Sequence, residues 1–194
     1  DETMPRWQIE DDAQIKRCSL KSRNFLERAL EFAQFVHAKA QECDALQIAH
    51  FRDPWSGVPL ILTLRKKCPI IYEVNALPSI ELPVRYSAIL PATLKKIKSY
   101  EKFCLDNCDE IVCPSQIIKN NLINLGQNED KITVIPNGAG INAVETAVKP
   151  QSAPEKYIIY IGAVQAWQGV EILLKAMKLL RDLTEIKLVM CVSG

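Results

Sequence analysis

No run of ~20 apolar residues that could span a bilayer occurs in the sequence, and its opening, DETMPRWQIEDD, lacks the charged-then-apolar layout of a secretory signal. Both absences point to a soluble cytoplasmic protein. Charge of one sign is also missing. The 24 basic residues nearly cancel the 23 acidic ones, so no whole-chain field exists to draw in nucleic acid. With no CxxC pair and only two histidines to join the seven scattered cysteines, zinc ligation is disfavoured. Reduced, mostly buried thiols are the reading preferred. No GKS or GKT follows a glycine-rich turn, and GxGxxG and GxSxG do not occur either. Kinase, ATPase, dehydrogenase and serine hydrolase readings therefore lose their motif support.

What is present is apolar periodicity that alternates between two periods. Phe25, Ala29, Phe32, Val36 and Ala40 recur at helical spacing within residues 21–42, which predicts a helix packed on a sheet as the first element. Leu46–Ala49 reads as a short buried strand ending in the polar cluster His50–Pro54, and Trp55–Leu64 as a helix. Pro69–Val74 is a β-branched run suited to burial on both faces, followed by the loop Asn75–Ser79. Thr93–Cys108 reads as a helix with Leu94, Ile97, Cys104 and Cys108 inward. Its lysines, Lys95, Lys96, Lys98 and Lys102, lie off that stripe as a solvated face, with membrane association through them an alternative that nothing else in the sequence supports.

Glu110–Cys113 is the next strand; Ser115 caps a helix carrying Ile118 and Leu122, and Gly126 stops it. Lys131–Ile135 is a further strand, closed by the turn Pro136-Asn137-Gly138. This alternation predicts an α/β fold with parallel sheets and helices on both faces.

The domain division expected is residues 1–141 as an N-terminal domain, 142–156 as an interdomain linker, and 157–194 as the first βαβ unit of a second domain. A lone βαβ unit cannot cover both faces of its strands, and doubly wound domains normally open with a strand. The chain is therefore expected to lack its first strand or strands and to have its second domain truncated.

Ligands of open α/β sheets bind beyond the carboxyl ends of the strands, so the polar loops at His50–Asp53, Glu73–Ser79, Pro114-Ser115 and Gly162–Gly169 are expected along one edge. The last of these lies between a strand and a helix, where free N–H groups and the helix dipole favour an anion such as a diphosphate. A tight turn that needs glycine explains the same loop, and both readings stay open.

The strings HFRDPWSGVPLI, IIYEVNALPSIE, CDEIVCPSQIIKNNLINLG, DKITVIPNGAGI and YIIYIGAVQAWQGVEILLKAM together resemble the successive signatures of family-4 retaining glycosyltransferases of the GT-B type, which have two Rossmann-like domains. The resemblance covers nearly all of residues 45–194. It implies sugar transfer from a nucleotide-sugar donor to a glycan or lipid-linked acceptor, with retention of anomeric configuration and no metal or other cofactor. The donor would sit mainly in the C-terminal domain and the acceptor mainly in the N-terminal one.

On this resemblance the donor diphosphate meets Gly162, Ala163, Val164, Gln168 and Gly169, although Ala163 and Gln168 stand where relatives place an arginine or serine and then a lysine. Neutral groups stabilise a departing diphosphate less than cations do, so backbone N–H groups and Gln168 must carry more of the task. Asn75 stands where many relatives carry a histidine; it can position a hydroxyl but cannot take a proton near neutral pH. His50, Arg52, Glu73, Ser79 and Ser115 form the cleft and acceptor side. A sugar-binding glutamate pair is expected beyond Gly194. Two alternatives are a non-catalytic nucleotide-sugar or glycan-binding protein, motivated by Ala163 and Gln168, and a nucleotide-sugar epimerase on the same architecture. A further alternative makes residues 1–144 a structural scaffold in which His50, Arg52 and Asn75 are ordinary loop residues.

Overall fold

A computed structural model of the chain describes residues 4–86, 88–138, 149–165, 168–182 and 185–193. The chain divides into two compact units, residues 1–138 and 139–194. The first half of the expected linker, 142–148, lies outside the described residues.

The first unit opens with an antiparallel hairpin, β1 (Trp7–Glu10) and β2 (Ala13–Lys16), and not with the expected helix. Its turn residues Asp11 and Asp12 have φ of 47° and 67°. A two-residue turn with both φ positive matches the right-handed twist of the strands it joins, and short polar aspartates tolerate that region. Helix α1 (Phe25–Gln41) follows, its first amides at Leu26 and Glu27 held by the Asn24 side chain. It packs mainly against α2, not on the sheet as the sequence predicts.

The central sheet has four strands in the order β3 (Ala49–Phe51), β4 (Ile70–Glu73), β5 (Glu110–Cys113) and β6 (Ile132–Val134), all parallel. The connections are α2 (Pro54–Leu64) between β3 and β4, α3 (Pro78–Arg85) and α4 (Pro91–Asn107) between β4 and β5, and α5 (Gln116–Asn124) before β6. Strand β3 is shifted toward the C-terminus from the expected Leu46–Ala49, so His50 belongs to the strand itself. Helix α3 begins inside the expected loop Asn75–Ser79 and runs on to Arg85. Pro78 occupies its first turn, where a missing N–H costs nothing. The amide of Ser79 donates to the buried Glu101 carboxylate on α4 at 2.5 Å, so the cap of α3 comes from another helix.

Burial alternates along each strand, in contrast to the expectation of strands buried on both faces. Phe51, Ile70, Tyr72, Val74, Ile111, Cys113 and Ile132 are buried toward Ile61, Leu64, Cys104, Leu105 and Leu122 of the helices, in one hydrophobic cluster. Their neighbours His50, Ile71, Glu73, Val112 and Thr133 point the other way and are exposed or half-buried. Parallel register keeps each set on its own face, pairing Phe51 with Tyr72 and Tyr72 with Ile111, and Glu73 with Val112. Phe51 stacks on Tyr72 with ring centroids 4.5 Å apart.

All seven cysteines are free, four of them buried. Burial pushes the Cys104 and Cys108 thiols up, so both serve as small apolar packing groups.

The second unit holds β7 (Tyr157–Ala163) and β8 (Lys187–Ser193), paired in parallel, with α6 (Val170–Leu180) between them. Val170 is buried, whereas Leu174 and Leu180, expected to face inward, are exposed at 48% and 39%.

Candidate functional site

The carboxyl ends of β3 to β6 deliver four loops to one edge of the first unit. Strand β3 places its middle residue, His50, on the open face, and Arg52 follows the strand before Asp53 caps α2. The role of Asp53 is structural: Oδ1 accepts from the Ser56 amide at 3.0 Å, and its carbonyl and Oδ2 accept from the Ser56 hydroxyl. The cap stops the chain from extending further and fixes where Arg52 leaves the strand.

Strand β4 ends with Glu73, where the donors converge. His50 Nε2 lies 3.1 Å from Glu73 Oε2, Arg52 Nε lies 3.1 Å from Oε1, and Asn75 Nδ2 donates to Oε1 at 2.7 Å. His50 turns Nε2 to the carboxylate, so Nδ1 is left as its second contact point. Asn75 spends its amide nitrogen on Glu73 and keeps Oδ1 as an acceptor. The cluster is half-open: Glu73 is 26% exposed and Arg52 65%, so its ion pairs orient side chains more than they stabilise the fold.

His50, Glu73 and Asn75 line a cavity of about 390 Å³, completed by Val112 in β5 and Pro114 after it and by Pro136, Asn137 and Gly138 after β6. A polar carboxylate, imidazole and two amides around an apolar floor can hold a ligand rich in hydroxyl groups by giving and accepting hydrogen bonds. Asn137 was legible only as part of a turn. The rule that strand-end loops gather at one edge, applied to β6 as to the others, would have included it.

Three of the residues expected on the cleft side lie outside the lining of this cavity: Arg52, which meets it only through Glu73, and Ser79 and Ser115. Ser79 is buried in the first turn of α3, bound to Glu101. Burial raises the Glu101 carboxyl above its ordinary range, and the bonds from Ser79 only partly oppose this. Ser115 caps α5, its Oγ accepting from the Ile118 amide at 3.3 Å.

The loop Gly162–Gly169 belongs to the second unit, and its Ala166 and Trp167 fall outside the described residues. Gly162 has φ of 153°, and a Cβ there would stand 3.3 Å from the Tyr160 hydroxyl. Gly169, at φ of 70°, is the N-cap of α6 and has no side chain to satisfy the first-turn amides. Those amides are unclaimed by a cap, but Glu171 already places an acid in that turn, paired with Lys175 at 2.6 Å. The Tyr160 hydroxyl donates its one hydrogen to the Ala163 carbonyl at 2.7 Å and lies 3.1 Å from the Gln168 amide. That second contact closes when the amide nitrogen donates to the phenol oxygen, which leaves Gln168 one further N–H and its carbonyl. Ala163 and Val164 contribute no polar side-chain atom.

Among the described residues no group of three or more His, Cys, Asp or Glu could hold a metal ion, and no helix is long and apolar enough to cross a membrane.

Parallel Rossmann-like sheets with the candidate ligand residues at their carboxyl ends define an α/β fold of the GT-B glycosyltransferase type. The chain belongs to Glycosyltransferase Family 4, whose family model matches residues 5–142. Its structure resembles sucrose-phosphate synthase from Thermosynechococcus elongatus, with a TM-score of 0.69 and 16% sequence identity over 98% of this chain. At that identity the likeness concerns the fold, and the chain spans 49% of the synthase chain. No curated protein matches it in sequence.

Proposed function

We propose that this protein works in transfer of a hexose-type sugar from a nucleotide-sugar donor to an acceptor, with retention of anomeric configuration. The observation that carries the reading is the convergence of His50, Arg52 and Asn75 on Glu73 at the strand-end cavity of a family-4 fold. On this reading the cavity receives the acceptor: Glu73 accepts from its hydroxyl, and Asn75 Oδ1 and His50 Nδ1 fix its orientation. The donor diphosphate meets the loop 162–169, through the amides that begin α6 and the remaining N–H of Gln168.

The absence of any cation on the described part of that loop favours a second reading, a protein that binds a nucleotide sugar without turning it over. Titrating a panel of nucleotide sugars calorimetrically, with hydrolysis and transfer followed in the same samples, separates the two. Binding with turnover supports transfer, binding without it supports the second reading, and no binding defeats both. Gln168→Lys localises the donor. If the loop holds the diphosphate, a charge-assisted contact replaces a neutral one and affinity for a nucleoside diphosphate rises by ~1 kcal/mol. Unchanged or weaker affinity in a folded variant shows that the loop is only a turn.

A further inference from the structure

On the helical side of the first unit, α1, α2 and α4 enclose a second cavity that sugar transfer as described leaves unused. Its volume is about 390 Å³, and Leu26, Leu30, Trp55, Val58, Ile97 and Tyr100 form its walls. A neighbouring void of about 340 Å³, walled by Phe25, Tyr86 and Leu90, shares Leu26 and Thr93 with it, so the two adjoin there as an apolar trough. Aromatic edges brace it: Phe25 stands 5.8 Å from both Trp55 and Tyr86, and Trp55 stands 6.2 Å from Tyr100. Leu30 and Leu90 on its rim are 60% and 67% exposed. Exposed apolar surface gathered in one place is a mark of interaction sites.

Charge and shape say what fits. Lys96 is the one charged residue in the lining of the larger void; its Nζ lies 5.9 Å from the Tyr100 ring centroid, and among the described residues no carboxylate pairs with it. An extended peptide laid here would bury N–H and C=O groups against a wall that offers little beyond Thr93 and the tyrosine hydroxyls, a costly arrangement. A hydrocarbon chain has no such groups to satisfy. Helices that cross over between parallel strands begin at the carboxyl edge, so Trp55 in the first turn of α2 and Lys96 in the first half of α4 lie toward the same edge as Glu73. Arg52, which pairs with Glu73, and Trp55, which walls the trough, are three residues apart.

We propose that this trough seats the hydrocarbon chain of an anionic amphiphile, with its head group at Lys96. Naming that amphiphile as the acceptor, a lipid-linked one, rests on the transferase reading; binding of the chain does not. The test is calorimetric titration of the full chain with monododecyl phosphate below its micelle concentration, beside dodecyl maltoside and inorganic phosphate. Saturable binding of the alkyl phosphate is expected, with weaker binding of the uncharged maltoside and none of inorganic phosphate. Lys96→Gln should weaken the alkyl phosphate several-fold and leave the maltoside unchanged. Ala33→Trp, which fills the trough, should weaken both roughly tenfold or more; if its melting point falls, Leu30→Gln at the exposed rim repeats the measurement.

Absence of saturable binding, unchanged affinity in both trough variants, or equal binding of inorganic phosphate overturns the proposal. So does a wild-type dimer in sedimentation that Leu30→Gln dissociates, which gives the trough to a second copy of the chain. None of these measurements uses a nucleotide sugar, so their failure leaves the transferase reading standing, and failure of the nucleotide titration leaves the trough.

Discussion

Replacing Gly57 with alanine sets two effects of known size against each other. Gly57 lies inside α2 where the helix crosses β3, and a Cβ there would meet the Phe51 ring at Cε2, approach its Cδ2 to 2.6 Å, and stand 2.8 Å from Cys104 Sγ. The ring cannot swing clear easily, because Phe51 is 3% exposed and stacks on Tyr72, which is fully buried. Alanine in a helix interior gains about 0.8–1 kcal/mol over glycine. Overpacking a closed core costs about 1–3 kcal/mol, and three contacts at these distances belong in the upper part of that range. A net loss of about 1–2 kcal/mol is expected, read as a lower urea midpoint by circular dichroism with unchanged slope. Adding Cys104→Ala removes one of the three obstacles, so the double variant should be less destabilised than the sum of the single ones. A Gly57→Ala protein as stable as wild type, or more so, would refute the reasoning, for propensity would then outweigh packing.

Two further predictions concern helix starts. Burial raises the Glu101 carboxyl, so between the unfolded and native values the native state binds more protons; the contribution of this group is intact below about pH 4.3 and is lost as pH rises through the native value. Glu101→Gln keeps an oxygen for the Ser79 amide, so its melting temperature should gain on wild type as pH rises above about 4.3, and an equal or growing wild-type advantage would contradict this. Asp53→Ala should cost about 1 kcal/mol in urea unfolding, with Asp53→Asn recovering most of it; equal losses for both would show that the side chain does not act as the cap.

Local signals were legible where local chemistry decides. Strand β5 falls on the expected Glu110–Cys113, Ser115 caps α5 and Gly126, at φ of 90°, stops it, because cap and stop each act within one turn. The hairpin was missed although WQIE and AQIK alternate around Asp11-Asp12, since a turn without glycine or asparagine carries a weak signal. Helix α3 was missed because its sequence contains Pro78 and Pro83 and its cap, Glu101, lies 22 residues away. One-sided burial was hidden because Ile71 and Val112 are apolar on the open face as well. At the site, His50, Glu73 and Asn75 follow from their places at strand ends, while the pairing of Arg52 with Glu73 depends on side-chain geometry that spacing does not encode.

The alternation of burial along β3, β4 and β5 has a consequence for how such a protein changes over time. Phe51, Tyr72 and Ile111 answer to the helices, whereas His50 and Glu73, beside them in the chain, answer to whatever occupies the cavity. Mutation at one set is judged by whether the chain folds, and at the other by what it recognises. On the proposed acceptor reading, a lineage carrying this sheet can vary what the open face meets through substitutions at alternate positions, while the residues that pack against the helices stay as they are.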